Sequence, residues 1–128
     1  MSDTPRLTSL APQFLVDDLD RAIAFYRDVL GFTFGTPWGG FYAVGTRDGF
    51  ELHLKCAPKN DAERQHRRAN EHLDLYAAVA GIDEFHAACA AKGAAIIKPL
   101  APTAWGTRDF YVLDPDGYVL CFAGTPTT

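Results

Sequence analysis

A chain of 128 residues, 48% of them hydrophobic, is long enough to bury the core of one domain without disulfides or a structural metal. The net charge of −4 argues against the basic surface that nucleic-acid binding requires, so no nucleic-acid partner is expected. Three cysteines without close pairing indicate reduced thiols. The sequence shows neither a secretory signal pattern nor an apolar run of about 20 residues, so we expect a cytoplasmic protein that does not enter membranes.

The first half of the chain predicts a strand, a helix and three further strands. Asp18 is a suitable helix N-cap, and apolar residues recur at helical spacing from there until Gly31, a residue that commonly terminates helices. The turn at Asp48-Gly49 joins the last two strands as a hairpin. The predicted elements are strand 13–16, helix 19–30 and strands 32–36, 41–46 and 50–55.

The second half repeats this order after a charged connector at 57–70, which we expect to carry a short helical turn. Its predicted elements are strand 71–78, helix 82–92 and strands 95–100, 107–113 and 118–123. The helix-terminating glycines, Gly31 and Gly93, are 62 positions apart, and the hairpin glycines, Gly49 and Gly117, are 68 apart. These similar intervals indicate a duplication. The chain is therefore predicted to be one α+β domain of two β-α-β-β-β modules, at about 11–56 and 71–123.

Each module ends in a hairpin with a reactive side chain at the same place. His53 lies four residues past Gly49, and Cys121 lies four residues past Gly117. Because strand side chains alternate between faces, Cys121 points away from its neighbours Leu120 and Phe122. Glu51 shares the face of His53 by the same rule, and is therefore a candidate substitute ligand or general base.

Two stretches of the sequence resemble the vicinal oxygen chelate superfamily, which includes glyoxalase I, bleomycin-resistance proteins, fosfomycin-resistance enzymes and extradiol dioxygenases. Residues 16–32 resemble its opening helix, and Trp105 to Phe110 followed by Asp114-Pro115-Asp116-Gly117 resembles its closing hairpin. The similarity covers about residues 11–123. It implies that each module curls into half of an open barrel, and that the chain forms a homodimer in which two modules line each cavity.

In metal-dependent branches of this superfamily, four strand positions supply the metal ligands. The resemblance places them at Ala11, His53, His72 and Cys121, where His72 stands at a frequent histidine position and His53 and Cys121 replace what are commonly glutamates. Ala11 has no donor atom in its side chain, so we expect no metal cofactor. The alternative is a zinc ion held by His53, His72 and Cys121, because two imidazoles and a thiolate with one open position suit zinc.

The leading hypothesis is a bleomycin-resistance-like protein that sequesters a small aromatic or drug-like molecule at the dimer interface. The predicted ligand-binding residues are Trp38, Phe41, His53, His72, Trp105, Arg108, Phe110 and Cys121. The alternative is a metal-dependent lyase, isomerase or dioxygenase with a divergent His53/His72/Cys121 centre, assisted by Glu51. A nucleophilic Cys121 with His72 as its base, and a cavity packed shut that serves only dimerisation, are further possibilities. The ligand's identity and the packing of the modules, within one chain or swapped between two, stay open.

Overall fold

The computed structural model describes residues 5–57, 61–69 and 72–125, and this part of the chain forms two four-stranded sheets. The elements are β1 (Gln13–Val16), α1 (Leu19–Asp28), β2 (Thr33–Phe34), β3 (Tyr42–Arg47), β4 (Phe50–Cys56), α2 (Asp61–Ala69), β5 (Leu75–Ala78), α3 (Ile82–Ala91), β6 (Ala95–Pro102), β7 (Arg108–Leu113) and β8 (Val119–Gly124). The strand orders are β1-β4-β3-β2 and β5-β8-β7-β6. Both sheets have the same topology, which confirms the predicted α+β fold of two β-α-β-β-β modules.

Strand pairing within the two sheets follows one scheme. The first and last strands of each module pair in parallel, β1 with β4 and β5 with β8, and the remaining pairs are antiparallel. Gln13 is the Cα partner of His53 in the first sheet, and Tyr76 is the Cα partner of Cys121 in the second. These two pairs fix which positions of the modules are equivalent.

Three elements differ most from their predicted extent. The strand expected at 32–36 shortens to β2, and the strand expected at 71–78 begins only at Leu75; residues 58–60, 70 and 71 lie outside the described part of the chain. The expected single helical turn in the connector is the longer helix α2, because strong helix formers follow two acidic residues in its first turn. Among the described residues, no helix is long and apolar enough to cross a membrane.

Helix α1 covers one face of the first sheet. The Asp18 carboxylate caps the helix by accepting a hydrogen bond of 3.1 Å from the backbone N–H of Arg21, as predicted. The residues that α1 buries are Leu19, Ala22, Ile23 and Tyr26, and they pack on alternate residues of β1 and β4: Phe14, Val16, Leu52 and Leu54. The intervening residues of β1 and β4 therefore lie on the opposite face of the sheet.

The closing turn of the second module binds the first module within the same chain. The Tyr26 hydroxyl donates a 2.7 Å hydrogen bond to Oδ2 of Asp114, while Oδ1 accepts the backbone N–H groups of Asp116 and Tyr118 at 2.8 and 2.9 Å. The Tyr118 hydroxyl in turn donates to the carbonyl of Leu15 at 2.9 Å and accepts from its N–H at 3.0 Å. One buried carboxylate thus shapes the turn and holds α1 against it.

We expect Tyr26→Phe to destabilise the fold by about 1–3 kcal/mol at neutral pH, because it leaves a buried Asp114 oxygen without this donor. Burial raises the pKa of Asp114 above 3.8, and the Tyr26 hydrogen bond opposes that rise. A raised carboxyl pKa favours the folded state at low pH, and this contribution is lost as the pH rises through the folded-state pKa. Removing the Tyr26 hydroxyl raises the pKa of Asp114 further. The Tyr26→Phe variant therefore loses less stability near pH 4 than at pH 7.

Urea denaturation at both pH values measures this difference. Tyr111→Phe is the matched control, since Tyr111 lies on the face of β7 opposite the buried Phe110 and Val112. A Tyr26→Phe variant that loses equal stability at pH 4 and pH 7 would contradict the role given to Asp114.

Candidate functional site

The candidate site lies on the open face of the first sheet, by which we mean the face of β1, β3 and β4 that does not contact α1. Phe14 and Leu52 point towards the core and are buried. The residues between the core positions point the other way and are half-buried or exposed. Those that matter for the chemistry of the open face are Gln13, Tyr42, Glu51, His53 and Lys55.

Four of these residues form a continuous polar chain, defined as Gln13, Tyr42, His53 and Glu51. Nε2 of Gln13 donates to the Tyr42 hydroxyl at 3.0 Å, and that hydroxyl lies 2.6 Å from Nδ1 of His53. Nε2 of His53 lies 3.2 Å from Oε1 of Glu51. Strand register explains the arrangement, because His53 pairs with Gln13 on one side and Val44 on the other, and Tyr42 is two residues from Val44 on the same face.

An aromatic rim, defined as Trp38, Phe41 and Tyr42, adjoins the polar chain. The Trp38 ring lies 6.3 Å and the Phe41 ring 6.2 Å from the Tyr42 ring, which in turn meets the His53 ring edge-on at 5.5 Å. Gly39 and Gly40 both have positive φ values, 56° and 71°, and this turn lets Trp38 pair with Tyr42. Trp38 is 61% exposed, so a large aromatic surface stands open beside a hydrogen-bonding network.

The duplication relates each residue of the polar chain to a residue in the second module. The pairs Gln13–His53 and Tyr76–Cys121 are equivalent, so Ala11 corresponds to Asp74, two residues before Tyr76. The resemblance had suggested His72 for that position. The difference arises because the strand register makes Val79 the equivalent of Val16, so the position five residues before the strand end is Asp74.

The donor atoms of one chain do not fit a metal centre at these positions. Both ring nitrogens of His53 are engaged by Tyr42 and Glu51, and one oxygen of Asp74 accepts the N–H of Val119 at 2.9 Å. Burial, with the charge of Asp109, raises the pKa of Cys121 to about 11, so the thiol is protonated in the metal-free chain. Across the described residues, no three His, Cys, Asp or Glu side chains cluster as a metal site would require. His53, His72 and Cys121 are not brought together.

The other predicted site residues are dispersed over the molecule. Phe110 has none of its surface exposed and packs in the core against Phe85 and Phe122, so its prediction as a ligand contact is corrected. Arg108 forms an ion pair with Asp83 of α3, on the same side of β7 as Phe110. These two side chains lie on the face of β7 that packs against α3, whereas the sequence predicts both as ligand contacts.

Three predicted contacts stay predictions. His72 is exposed just before β5, and Trp105, in the turn before β7, is 72% exposed. Cys121 is 1% exposed, and its raised pKa keeps the thiol protonated at neutral pH, which weakens it as a nucleophile.

The predicted site residues did not include Gln13 and Tyr42. Alternation alone places Gln13 on the face of Ala11, two residues away. The Asp48-Gly49 hairpin pairs Arg47 with Phe50, and counting back along that ladder brings Tyr42 beside the strand that carries His53. The signal was therefore present, but it required the register of two different strand pairs at once.

Comparison with known proteins agrees with this architecture. The family model of the Glyoxalase/Bleomycin resistance protein/Dioxygenase superfamily matches residues 7–122, so the chain belongs to this superfamily, as its resemblance indicated. No protein with a curated function matches the sequence.

Three solved structures illustrate the shared fold. TioX from Micromonospora sp. ML1 is 20% identical, with a TM-score of 0.74 over 93% of this chain and 99% of that chain. A glyoxalase/bleomycin resistance protein/dioxygenase from Alicyclobacillus acidocaldarius is 16% identical, with a TM-score of 0.77 over 93% of this chain and 92% of that chain. A glyoxalase-related enzyme from Clostridium phytofermentans is 16% identical, with a TM-score of 0.74 over 98% of this chain and 100% of that chain. At these identities the similarity establishes the fold alone.

The three cysteines are expected to differ sharply in reactivity. Cys56 is exposed, whereas Cys89 and Cys121 are buried and burial raises the pKa of both thiols. Iodoacetamide at pH 7.5 should therefore modify Cys56 at least tenfold faster than the other two, because the thiolate is the reacting form. Peptide mass spectrometry over time measures the three rates, and Cys56→Ser should abolish the fast phase. Fast modification of Cys121 in the folded protein would contradict the environment described for it.

Proposed function

We propose that this protein binds a small aromatic or drug-like molecule on the open face of its first sheet, between two copies of the chain and without a metal. The proposal rests on the position of the aromatic rim beside the polar chain. Trp38 and Phe41 offer exposed rings within ring-contact distance of Tyr42, whose hydroxyl is already oriented by Gln13 and His53. Ligand sites commonly combine apolar walls with a few oriented polar groups.

The energetics favour a flat ligand. Stacked or edge-on aromatic contacts contribute about 0.5–1.5 kcal/mol beyond the burial of apolar area. The Tyr42 ring is already held at one edge by His53, so little side-chain entropy is lost when a ligand stacks on the rim. The mechanism supported by these features is sequestration, in which the ligand is held and not transformed.

A second copy of the chain is the proposed cover for the open face. Trp38, Phe41, Tyr76 and Trp105 are all large and exposed in one chain. Exposed aromatic surface of this kind is typical of interfaces between proteins. We therefore propose a homodimer in which the rim of one copy is closed over by the other, so that the ligand is shielded from water.

The alternative proposal, a metal-dependent lyase, isomerase or dioxygenase, would need ligands from two chains. The open face of one chain offers His53, with both nitrogens engaged, and Glu51, whose Oε1 lies 3.2 Å from that imidazole. Metal analysis of purified protein distinguishes the two proposals. Retention of about one ion per chain, lost in His53→Ala, would overturn the metal-free proposal.

Ligand screening by thermal shift tests the proposed binding. A ligand that binds the folded state stabilises it by about 2.7 kcal/mol at one hundred times its Kd, which raises Tm by several degrees. For any compound that binds, we expect Trp38→Ala and Phe41→Ala to weaken affinity at least tenfold, because each removes a ring from the binding surface.

Phe50→Ala is the matched control for these variants. Phe50 is also an exposed aromatic residue, 74% accessible, but it lies on β4 at an odd number of residues from Glu51 and His53 and therefore on the other face. Equal losses of affinity in Trp38→Ala and Phe50→Ala would place the ligand elsewhere and contradict the proposal.

A further inference from the structure

The donor and acceptor of each hydrogen bond in the polar chain follow from the chemistry of the residues at its ends. The Glu51 carboxylate only accepts hydrogen bonds, so Nε2 of His53 must carry the proton that bridges the 3.2 Å between them. In a neutral imidazole Nδ1 is then an acceptor, and the Tyr42 hydroxyl must donate its single proton across the 2.6 Å contact. Gln13 donates to the same hydroxyl oxygen at 3.0 Å. Each hydrogen bond is consistent with the next.

This direction determines what the site offers to a ligand. The Tyr42 hydroxyl donates its only proton to His53. Its oxygen can therefore only accept a hydrogen bond from a ligand on the rim. The Glu51 side chain is 38% exposed, and its carboxylate is also an acceptor and is negatively charged. The other donors on this face include the second N–H of Gln13 and the ammonium of Lys55, two residues past His53.

From this order of donors and acceptors we propose that the site selects aromatic molecules with a hydrogen-bond donor, such as a hydroxyl or amino group. Tyr42 is the residue that recognises this donor. The ring of such a ligand lies against Trp38 and Phe41, and its donor group reaches the Tyr42 oxygen. An isostere that has only acceptors would cover the Tyr42 oxygen and leave it facing another acceptor, which costs affinity. The inference rests on the proposed binding function and adds the chemical class of the ligand.

Three naphthalenes of similar size provide the test. 2-Naphthol donates a hydrogen bond, 2-methoxynaphthalene only accepts, and 2-naphthoate is an anionic acceptor. We expect the purified protein to bind 2-naphthol at least tenfold more tightly than 2-methoxynaphthalene and to bind 2-naphthoate most weakly, as measured by calorimetry. Tyr42→Phe should bring the naphthol to methoxynaphthalene ratio close to one.

Glu51→Gln separates this account from a purely structural role for the polar chain. The amide that it introduces donates as well as accepts, so the imidazole proton is no longer confined to Nε2. Tyr42 is then free to donate to a ligand, and the preference for 2-naphthol should fall at least threefold although the Tyr42 hydroxyl is still present. Glu84→Gln is the control, because it makes the same chemical change at an exposed residue of α3 in the second module, and its ratio should match that of the unmodified protein.

The tautomer of His53 can be determined by NMR without any ligand. Long-range 15N NMR of the imidazoles distinguishes an Nε2 proton from an Nδ1 proton, and the His53 signal among the four histidines is the one lost in His53→Gln. An Nδ1–H tautomer would overturn the inference, as would equal affinity for 2-naphthol and 2-methoxynaphthalene. Equal binding of the two leaves the proposed function standing. Failure of all three naphthalenes to bind would overturn both.

Discussion

The buried carboxylate of Asp114 is the interaction on which the rest of this structure depends. It accepts two backbone N–H groups of its own turn and the hydroxyl of Tyr26 from the other module. Asp116 adds a contact to the same module, accepting the backbone N–H of Asp17 at 2.9 Å. A turn near the end of the chain thereby fixes the first helix, and the two modules share one hydrophobic core.

Fixing α1 against one face of the first sheet leaves the other face available for chemistry. Because side chains alternate, each strand contributes to the core and to the open face at the same time. Leu52 and Leu54 are buried, while the interleaved Glu51 and His53 take part in the polar chain. The second module does not keep this division, because all six residues of β8 are buried, and the position of His53 in the first module holds Cys121 there. The two sheets therefore do not provide two identical halves of a metal site.

Local signals made the architecture predictable. Glycines with positive φ at the helix end and hairpin turn, such as Gly31 and Gly49, together with the Asp18 cap, mark the repeat without any knowledge of tertiary contacts. The pairing of Glu51 with His53 also followed from alternation. The polar chain was harder, because Gln13 and Tyr42 reach His53 only through two strand registers. The placement of Asp74 likewise depended on the register between β5 and β8. Phe110 was misjudged because a strand near a predicted cavity has a second face, which here packs against α3.

The most direct test of the account is 19F NMR of protein labelled with 5-fluorotryptophan, titrated with an aromatic compound that raises Tm. The chain has two tryptophans, so two resonances are expected, and Trp38→Phe assigns them. The account predicts that the Trp38 resonance moves or broadens in proportion to occupancy, because the ligand lies against the aromatic rim. A ligand that binds while leaving the Trp38 resonance unchanged would contradict the central claim that the open face of the first sheet is the binding site.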